Sequence, residues 1–253
     1  MRLKDKVAII TGGGQGLGRA YALRFCKEGA KVVIPEINFE NAKKVEQEIL
    51  DMGGEALAIK TDVSSEEDTA AMAEKAMEKF GKIDVLINNA SIYMGLENKP
   101  LENIAVEEWD RSFAVNVKGS WLSIRAVGPY MKKGGGGSII NVSSGTWLVG
   151  IPLLLNYATT KAAILGMTRC VCREYGDFNI RINAITPGFV TTDASVTMKG
   201  LPPGIFDVIA TQTALGRNQN EDDVVGTAVF LASEDAAFIS GQNIVVDGGW
   251  HLY

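Results

Sequence analysis

Two spacings of apolar residues alternate along the chain. Short β-branched runs predict seven strands, at residues 7–10, 31–34, 56–60, 85–88, 139–142, 181–185 and 244–246. Between them, longer stretches with apolar residues every three to four positions predict helices over 16–28, 39–52, 65–80, 106–132, 157–175 and 221–232. Strands that alternate with such helices are typical of a doubly wound parallel sheet with helices on both faces. We therefore expect an α/β fold with about seven strands.

The alternation is interrupted once, over residues 191–217. This segment carries turn-forming and apolar residues close together: Met198, Gly200, Leu201, Pro202, Pro203, Gly204 and Phe206. An insertion between a strand and the last helix is a plausible lid over a binding site. The 253 residues could hold one large domain or two small ones. Because the series is continuous and no repeat is visible, we expect one domain over 1–253, with a substrate lid near 191–217.

Charge and composition exclude several classes of partner. The formal net charge is -5 and the basic residues are scattered, so a nucleic-acid partner is not expected. No apolar run approaches the roughly 18 residues of a membrane span, and the first residues lead directly into a strand pattern, which favours a cytoplasmic protein. The three cysteines predict reduced thiols. The single histidine, His251, leaves no internal ligands for a zinc enzyme, so no metal is expected.

A glycine-rich turn follows the first predicted strand. The segment TGGGQGLG places Gly12, Gly16 and Gly18 where the strand meets the next helix. Backbone amides at such a turn can approach a pyrophosphate, and the helix N-terminus adds partial positive charge. The spacing differs from the common G-x-G-x-x-G, and any tight turn could carry glycines. On its own, the motif is a weak indication of dinucleotide binding.

An acidic residue at the end of the second strand strengthens this interpretation. Glu36 lies about 20 residues beyond the glycines, where a carboxylate can accept both hydroxyls of an adenosine ribose. Gln15, Ile37 and Asn38 supply no cation for a ribose 2′-phosphate, and Glu36 would repel one. The sequence therefore predicts NAD rather than NADP.

Tyr157 and Lys161 are candidates for acid/base chemistry. Positions four apart on a helix share a face, so the ammonium can lie beside the phenol. A nearby cation favours the phenolate and would lower the phenol pKa from about 10. Ser143 follows a strand end, where α/β sheets place ligands, and could hold a substrate oxygen. Its neighbour Ser144 could instead serve as a turn former.

Taken together, the motifs resemble those of the short-chain dehydrogenase/reductase family. In order along the chain they are TGGGQGLG, Asp62 with Val63, NNAS at 88–91, Asn116, Ser143, YATTK at 157–161 and PGFVTT at 187–192. The resemblance extends over nearly the whole chain and implies a Rossmann-type sheet, a nicotinamide cofactor and hydride transfer to or from an alcohol carbon. Ser91 departs from the pattern, which has glycine at that position.

The resemblance also implies roles for individual residues. It implies that Ser143, 14 residues before Tyr157, holds the substrate oxygen. It also implies that Asn116 binds a water, which relays a proton from Lys161 to solvent. Tyr157 becomes the acid/base. The implied cofactor contacts are Gly12, Gln15, Gly16, Leu17, Gly18, Glu36, Asp62, Val63, Asn89, Ala90, Tyr157, Lys161, Pro187, Gly188, Val190 and Thr192.

The substrate is expected to be small and apolar. Residues beside the implied site are nearly all apolar, with Tyr93, Trp147, Leu153 and Phe189 as substrate contacts besides Ser143, and Met94, Met198 and Phe206 near them. They favour a hydrophobic, cyclic or aryl secondary alcohol and its ketone. The main alternative is a 3-oxoacyl carrier-protein reductase that uses NADPH. An inactive dinucleotide sensor is a further alternative, which the complete set of catalytic residues disfavours.

The resemblance implies a homotetramer. The helices predicted at 106–132 and 157–175 would pair across one two-fold axis and the last strand across another. The segment 164–171 is apolar on more than one face, as a buried interface requires.

Overall fold

The computed structural model describes residues 1–93, 98–192, 195 and 204–251. Within these residues, seven parallel strands form one sheet in the order β3-β2-β1-β4-β5-β6-β7. The strands are β1 (Val7–Ile10), β2 (Lys31–Glu36), β3 (Ala56–Lys60), β4 (Val85–Asn88), β5 (Gly137–Val142), β6 (Ile180–Pro187) and β7 (Asn243–Val246). The predicted α/β fold with seven strands is confirmed.

Helices follow the strands on both faces of the sheet. They are α1 (Gly16–Lys27), α2 (Phe39–Asp51), α3 (Glu66–Phe80), α4 (Val106–Phe113), α5 (Gly119–Gly134), α6 (Thr146–Val149), α7 (Leu155–Tyr175), α8 (Ile205–Gln212) and α9 (Glu221–Ala232). Local signals set their ends. The Ser65 side chain accepts a hydrogen bond from the Asp68 amide before α3, and Gly81 ends that helix in the left-handed conformation.

The core consists of two apolar layers, one on each face of the sheet. Ala8 and Ile10 of β1 pack into one layer, while Val7 and Ile9 pack into the other. This alternation follows from the two-residue period of a strand, and strands buried on both faces are apolar at consecutive positions. The strand order reverses between β1 and β4, so their carboxyl ends flank a crevice of the kind that binds ligands in open α/β sheets.

Several element boundaries differ from the sequence prediction. The helix predicted over 106–132 is interrupted by a π-helical turn at Ala114–Lys118. Strand β2 extends to Glu36 and β6 to Pro187, so both residues end strands. The short helices α6 and α8 were not predicted. Helix α8 lies inside the segment 191–217. Outside the described residues lie positions 193–194 and 196–203 of that segment, with Met198, Gly200, Leu201, Pro202 and Pro203, and also Met94. The lid stays a prediction.

Candidate active site

A cavity of about 960 Å³ opens at the carboxyl ends of the central strands. It extends from the glycine turn and Glu36 at one end to Tyr157 at the other. Of the residues predicted for the site, all line this cavity except Asn116 and Trp147. Two sets of residues predicted separately, for the cofactor and for catalysis, therefore share one continuous space.

The glycine turn lies against the loop that follows β4 and begins at Asn89, called the β4 loop below. A Cβ on Gly18 would be 2.0 Å from the carbonyl oxygen of Gly12, so the backbone passes too close for any side chain at that position. Gly16 begins α1 with a φ of +49°, and the nearest atom to an added Cβ there is Thr192 Cγ2 at 3.9 Å. The start of α1 therefore faces open space, and the shape and the amide donors fit a pyrophosphate.

Glu36 ends β2 with its carboxylate held by backbone amides. The amide of Gly14 donates to Glu36 Oε2 at 3.2 Å, and the amide of Asn38 donates to Oε1 at 3.1 Å. The side chain is 7% exposed and lines the cavity. Each carboxylate oxygen keeps a second acceptor position, so the site can still accept hydroxyl donors from a ribose.

Thr11 organises the β4 loop, and sequence reasoning missed it. Its buried hydroxyl accepts hydrogen bonds from the amides of Asn89 and Ala90, at 3.0 and 3.1 Å, and donates to the Ile87 carbonyl. The Asn89 side chain donates to the carbonyls of Thr11 and Gly12. Asn89 and Ala90 are thereby fixed against the glycine turn, with Ser91 next to them on the cavity wall.

The loop after β6 closes the cavity on the opposite side. The Gly188 amide donates to the Val246 carbonyl, and the Thr191 amide donates to the Gln219 carbonyl at 2.7 Å. Thr192 and Ser195 exchange hydrogen bonds between their amides and hydroxyls. Pro187, Gly188, Val190 and Thr192 thus line the wall that faces α1.

Tyr157 and Lys161 lie on one face of α7, as predicted, and both are buried. The Lys161 Nζ donates to the carbonyl of Val142 at 2.9 Å and lies 5.6 Å from the centre of the Tyr157 ring. Burial lowers the pKa of Lys161 to about 8, because the low-dielectric surroundings disfavour its charge. A lysine with this pKa can exchange a proton near neutral pH.

Burial raises the pKa of Tyr157 above its ordinary value, and a hydrogen bond with the Ser144 side chain lowers it in part. The sequence predicted the opposite direction from the proximity of Lys161. The reason is that the ammonium is directed to the Val142 carbonyl, while the phenol lies in apolar surroundings beside the Tyr93 ring, 4.7 Å away between centroids. The raised pKa favours the protonated form of the phenol.

The two serines after β5 make different hydrogen bonds, and these bear on the role predicted for Ser143. The Ser143 hydroxyl donates to the Lys161 carbonyl at 2.7 Å and accepts from the Trp147 indole at 3.2 Å. It therefore ties β5 to α7. Ser144 accepts from the Thr146 amide at 3.3 Å, as a turn former does, and its side chain also lies close enough to the Tyr157 phenol to lower the phenol pKa. The structure places Ser144, not Ser143, beside the acid/base.

Asn116 lies at the middle of the π-helical turn and is buried. Its amide group donates to the Ile92 carbonyl at 3.2 Å and to the Thr160 hydroxyl at 3.0 Å, and its oxygen accepts from the Ile92 amide at 2.7 Å. It joins the β4 loop to α7 next to Tyr157. π-turns often occur at functional sites because they displace a side chain from its helical position. The water relay predicted for Asn116 stays a prediction.

Three of the four residues predicted to contact substrate, besides the serine, line the catalytic end: Tyr93, Leu153 and Phe189. Leu153 has a φ of +68°, an unfavourable conformation for a residue with a Cβ. Trp147 does not line the cavity, since its indole is directed back to Ser143. Sequence reasoning missed several lining residues from distant segments: Asn98, Arg111, Ile205, Val208, Ile209, Gln212 and Trp250.

Other observations bear on metals and membranes. Among the described residues, no group of three or more His, Cys, Asp or Glu side chains could hold a metal ion. Cys26, Cys170 and Cys172 are free thiols. Within the same parts of the chain, no helix is both long and apolar enough to cross a membrane.

Comparison with known proteins identifies related sequences and a related structure. The family model described as enoyl-(acyl carrier protein) reductase matches residues 12–251. A 2,5-dichloro-2,5-cyclohexadiene-1,4-diol dehydrogenase of Sphingobium indicum is 39% identical over 254 residues, covering 99% of this chain and 98% of the relative. A 3-oxoacyl-(acyl-carrier-protein) reductase of Thermotoga maritima is 36% identical over 249 residues, covering 98% and 99%.

A solved structure described as a short-chain alcohol dehydrogenase from Sinorhizobium meliloti superimposes with a TM-score of 0.92 at 32% identity, covering 98% of this chain and 97% of the other. This chain belongs to the short-chain dehydrogenase/reductase family and is an oxidoreductase that uses a nicotinamide cofactor on CH–OH groups.

Proposed function

We propose that this protein is an NAD-dependent dehydrogenase that interconverts a hydrophobic, cyclic or aryl secondary alcohol and its ketone. The observation that carries the proposal is the continuous cavity, which joins Glu36 to the Tyr157 and Ser144 pair and is mostly apolar at its catalytic end. That end is lined by Tyr93, Val149, Ile151, Leu153, Phe189, Ile205 and Trp250. Such a wall suits a ring-sized apolar group better than a sugar. The relative that acts on a cyclic diol supports the same substrate class.

The cofactor would be held between the glycine turn and the loop after β6. The start of α1 would face the pyrophosphate, Glu36 would accept the ribose hydroxyls, Asp62 and Val63 would lie at the adenine, and Pro187 to Thr192 would line the nicotinamide. When bound, the nicotinamide supplies the two-electron acceptor or donor for hydride transfer.

The side chains at the catalytic end can move the proton. In the oxidation direction the alcohol carbon loses a hydride, and its hydroxyl proton passes to the ionised Tyr157. Ser144 donates to the substrate oxygen as charge develops there. Lys161, with a pKa of about 8, takes up and releases protons behind the phenol.

Residues 1–253 act in this proposal as one dinucleotide-binding and catalytic domain in the cytoplasm, with a lid over the substrate.

The alternative is reduction of a 3-oxoacyl carrier-protein thioester with NADPH. The relative from Thermotoga maritima supports it. Against it, the carboxylate of Glu36 on the cavity wall would repel the 2′-phosphate of NADPH, and the neighbouring Gln15, Ile37 and Asn38 carry no positive charge. A net charge of -5 also disfavours an acidic carrier protein.

The proposal is tested by initial rates on a panel of secondary alcohols and one 3-hydroxyacyl thioester, each with NAD and NADP. We expect cyclic and aryl alcohols to be oxidised, with kcat/KM for NAD at least about tenfold above that for NADP. Preferential turnover of the thioester with NADP would contradict the proposal.

The Glu36→Ala, Gln15→Arg double variant is the matched test of cofactor choice. It removes the repelling carboxylate and adds a donor for a phosphate, so the ratio of kcat/KM should move toward NADP. Glu48→Ala, which removes an ion-pair partner of Arg19 from the neighbouring helix, should leave the ratio unchanged. An unaltered ratio in the double variant would show that Glu36 does not select the cofactor.

We further propose a homotetramer. Strand β7 lies at the sheet edge, and its Ile244, Val245 and Val246 are only half-buried. Trp121 on α5 and Leu155 on α7 are each 45% exposed. Exposed edge strands and apolar helix faces are commonly covered by a partner. Light scattering at micromolar concentration should give the mass of four chains, and a stable monomer would contradict the proposal.

A further inference from the structure

The turn after β7 contributes a tryptophan to the cavity. Trp250 lines the same space as Tyr157 and Ser144, although it lies almost 100 residues further along the chain. It is half-buried, its indole is hydrogen-bonded to protein, and the residue lines the cavity. Nothing in the catalytic steps above uses it.

A buried carboxylate holds this turn in shape. Asp247 is 6% exposed and accepts hydrogen bonds from the amide of Gly249 at 3.0 Å and the amide of His251 at 2.9 Å. It also contacts Nδ1 of the His251 ring at 2.5 Å. The Trp250 amide also donates a hydrogen bond to the Asp247 carbonyl. Together, these contacts hold the turn on both sides of Trp250.

The turn is pressed against the end of α8. A Cβ on Gly249 would lie 2.8 Å from the Cβ of Ala214, and the Leu215 amide donates to the Gly248 carbonyl at 3.1 Å. The Trp250 indole donates to the side-chain oxygen of Gln212, the last residue of α8, at 3.1 Å. The indole orientation is therefore set by a helix that itself lines the cavity through Ile205, Val208, Ile209 and Gln212.

The other side of the turn reaches the catalytic loop. The His251 ring packs on the Trp250 indole with 4.9 Å between centroids, and its Cε1 would lie 3.1 Å from a Cβ on Gly145. Gly145 directly follows Ser144. One short turn thus connects the wall formed by α8 with the loop that carries the substrate-binding serine.

We propose that Trp250 determines substrate specificity by forming the wall that limits the size of the ring on the carbinol carbon. Asp247, His251 and Gln212 are positioning residues that hold the indole in place. A flat aromatic wall favours flat apolar rings over branched or polar groups. This inference rests on the proposed function for its substrate class, but the position of the wall does not depend on which CH–OH substrate is natural.

The test is the ratio of kcat/KM between α-tetralol and cyclohexanol, with a 3-hydroxyacyl thioester as a third substrate. Trp250→Ala should raise the ratio of larger to smaller substrate at least about tenfold, since even one methylene changes such ratios by 10- to 200-fold. Gln212→Leu, which removes the indole hydrogen bond while keeping side-chain bulk, should move the ratio in the same direction by less. Trp121→Phe on the outer face of α5 should not move it.

Cofactor Kd, measured by fluorescence titration, should be unchanged in all three variants, which shows that the cofactor end is intact. A ratio unchanged in Trp250→Ala overturns the inference. If the wild type prefers the thioester, the proposed function is overturned. In that case, a change in the ratio of kcat/KM between long-chain and short-chain thioesters in Trp250→Ala would still support Trp250 as the wall.

Discussion

Replacing Tyr157 with phenylalanine should lower kcat by about 10² to 10⁴ while cofactor affinity stays the same. Phenylalanine keeps the ring that packs at 4.7 Å from Tyr93 and loses only the hydroxyl that interacts with Ser144. The variant should therefore fold as the wild type does. Initial rates in both directions and a cofactor titration measure the two quantities separately, and the loss should fall on kcat.

Tyr93→Phe is the matched control for this prediction. Tyr93 carries the second phenol in the cavity, burial raises its pKa as well, and its ring lies against that of Tyr157. If Tyr157 is the acid/base, removal of the Tyr93 hydroxyl should leave kcat within about tenfold of the wild type, below the smallest loss expected for general acid/base removal. A Tyr157→Phe variant that kept more than about a tenth of the wild-type kcat would show that another group moves the proton.

The pH dependence follows from the same environment. Oxidation needs the ionised phenol to accept the alcohol proton, and burial raises the pKa of Tyr157. The kcat/KM for oxidation should therefore rise with pH, because the ionised fraction rises, whereas reduction uses the protonated phenol and should not rise. Oxidised nicotinamide carries a positive charge, which favours the ionised form of the Tyr157 phenol. The phenol should therefore ionise at a lower pH with NAD⁺ than with NADH. Ultraviolet difference spectra of the wild type against Tyr157→Phe measure this ionisation.

Much of this site could be predicted because it is local in sequence. Tyr157 and Lys161 share a helix face by their spacing of four, and the glycine turn lies at a strand end wherever a strand leads into a helix. Glu36 was predictable for the same reason, since it ends the second strand. These predictions depend on the period of one element or on the junction of two, and the printed residues are sufficient to make them.

The remaining features depend on contacts between distant segments. The π-helical turn around Asn116 reflects a shift in backbone hydrogen bonding that leaves no apolar period to detect. Trp250 reaches the cavity only because the turn after β7 packs on the end of α8. The pKa of Tyr157 depends on how deeply the phenol is buried, which the presence of Lys161 four residues later does not reveal.

The two serines show the limit most clearly. Within a strand, neighbouring side chains point to opposite faces, but Ser143 and Ser144 follow the end of β5, where that alternation no longer applies. Both are buried polar residues of the same type. Only the direction of the turn, set by the bonds from Ser143 to Lys161 and from Trp147 to Ser143, decides which hydroxyl meets the phenol.

Replacing each serine separately should therefore affect different properties, kcat for Ser144 and stability for Ser143. Ser144→Ala removes the hydroxyl beside Tyr157, and loss of one donor to a developing oxyanion costs about 10² to 10³ in kcat. It should also raise the pKa of Tyr157 further, because the Ser144 hydrogen bond lowers it. Ser144→Thr, which retains a hydroxyl, should recover much of the loss.

Ser143→Ala should instead act on stability. It leaves the Lys161 carbonyl and the Trp147 indole without their buried partner, which costs about 1 to 3 kcal/mol of unfolding free energy and lowers Tm. Its kcat should stay within about tenfold of the wild type at temperatures where the protein is folded, since the phenol keeps its contact with Ser144. If Ser143→Ala abolished turnover while Ser144→Ala kept it, the substrate oxygen would be bound by Ser143, and the assignment drawn from the hydrogen bonds of the two hydroxyls would be wrong.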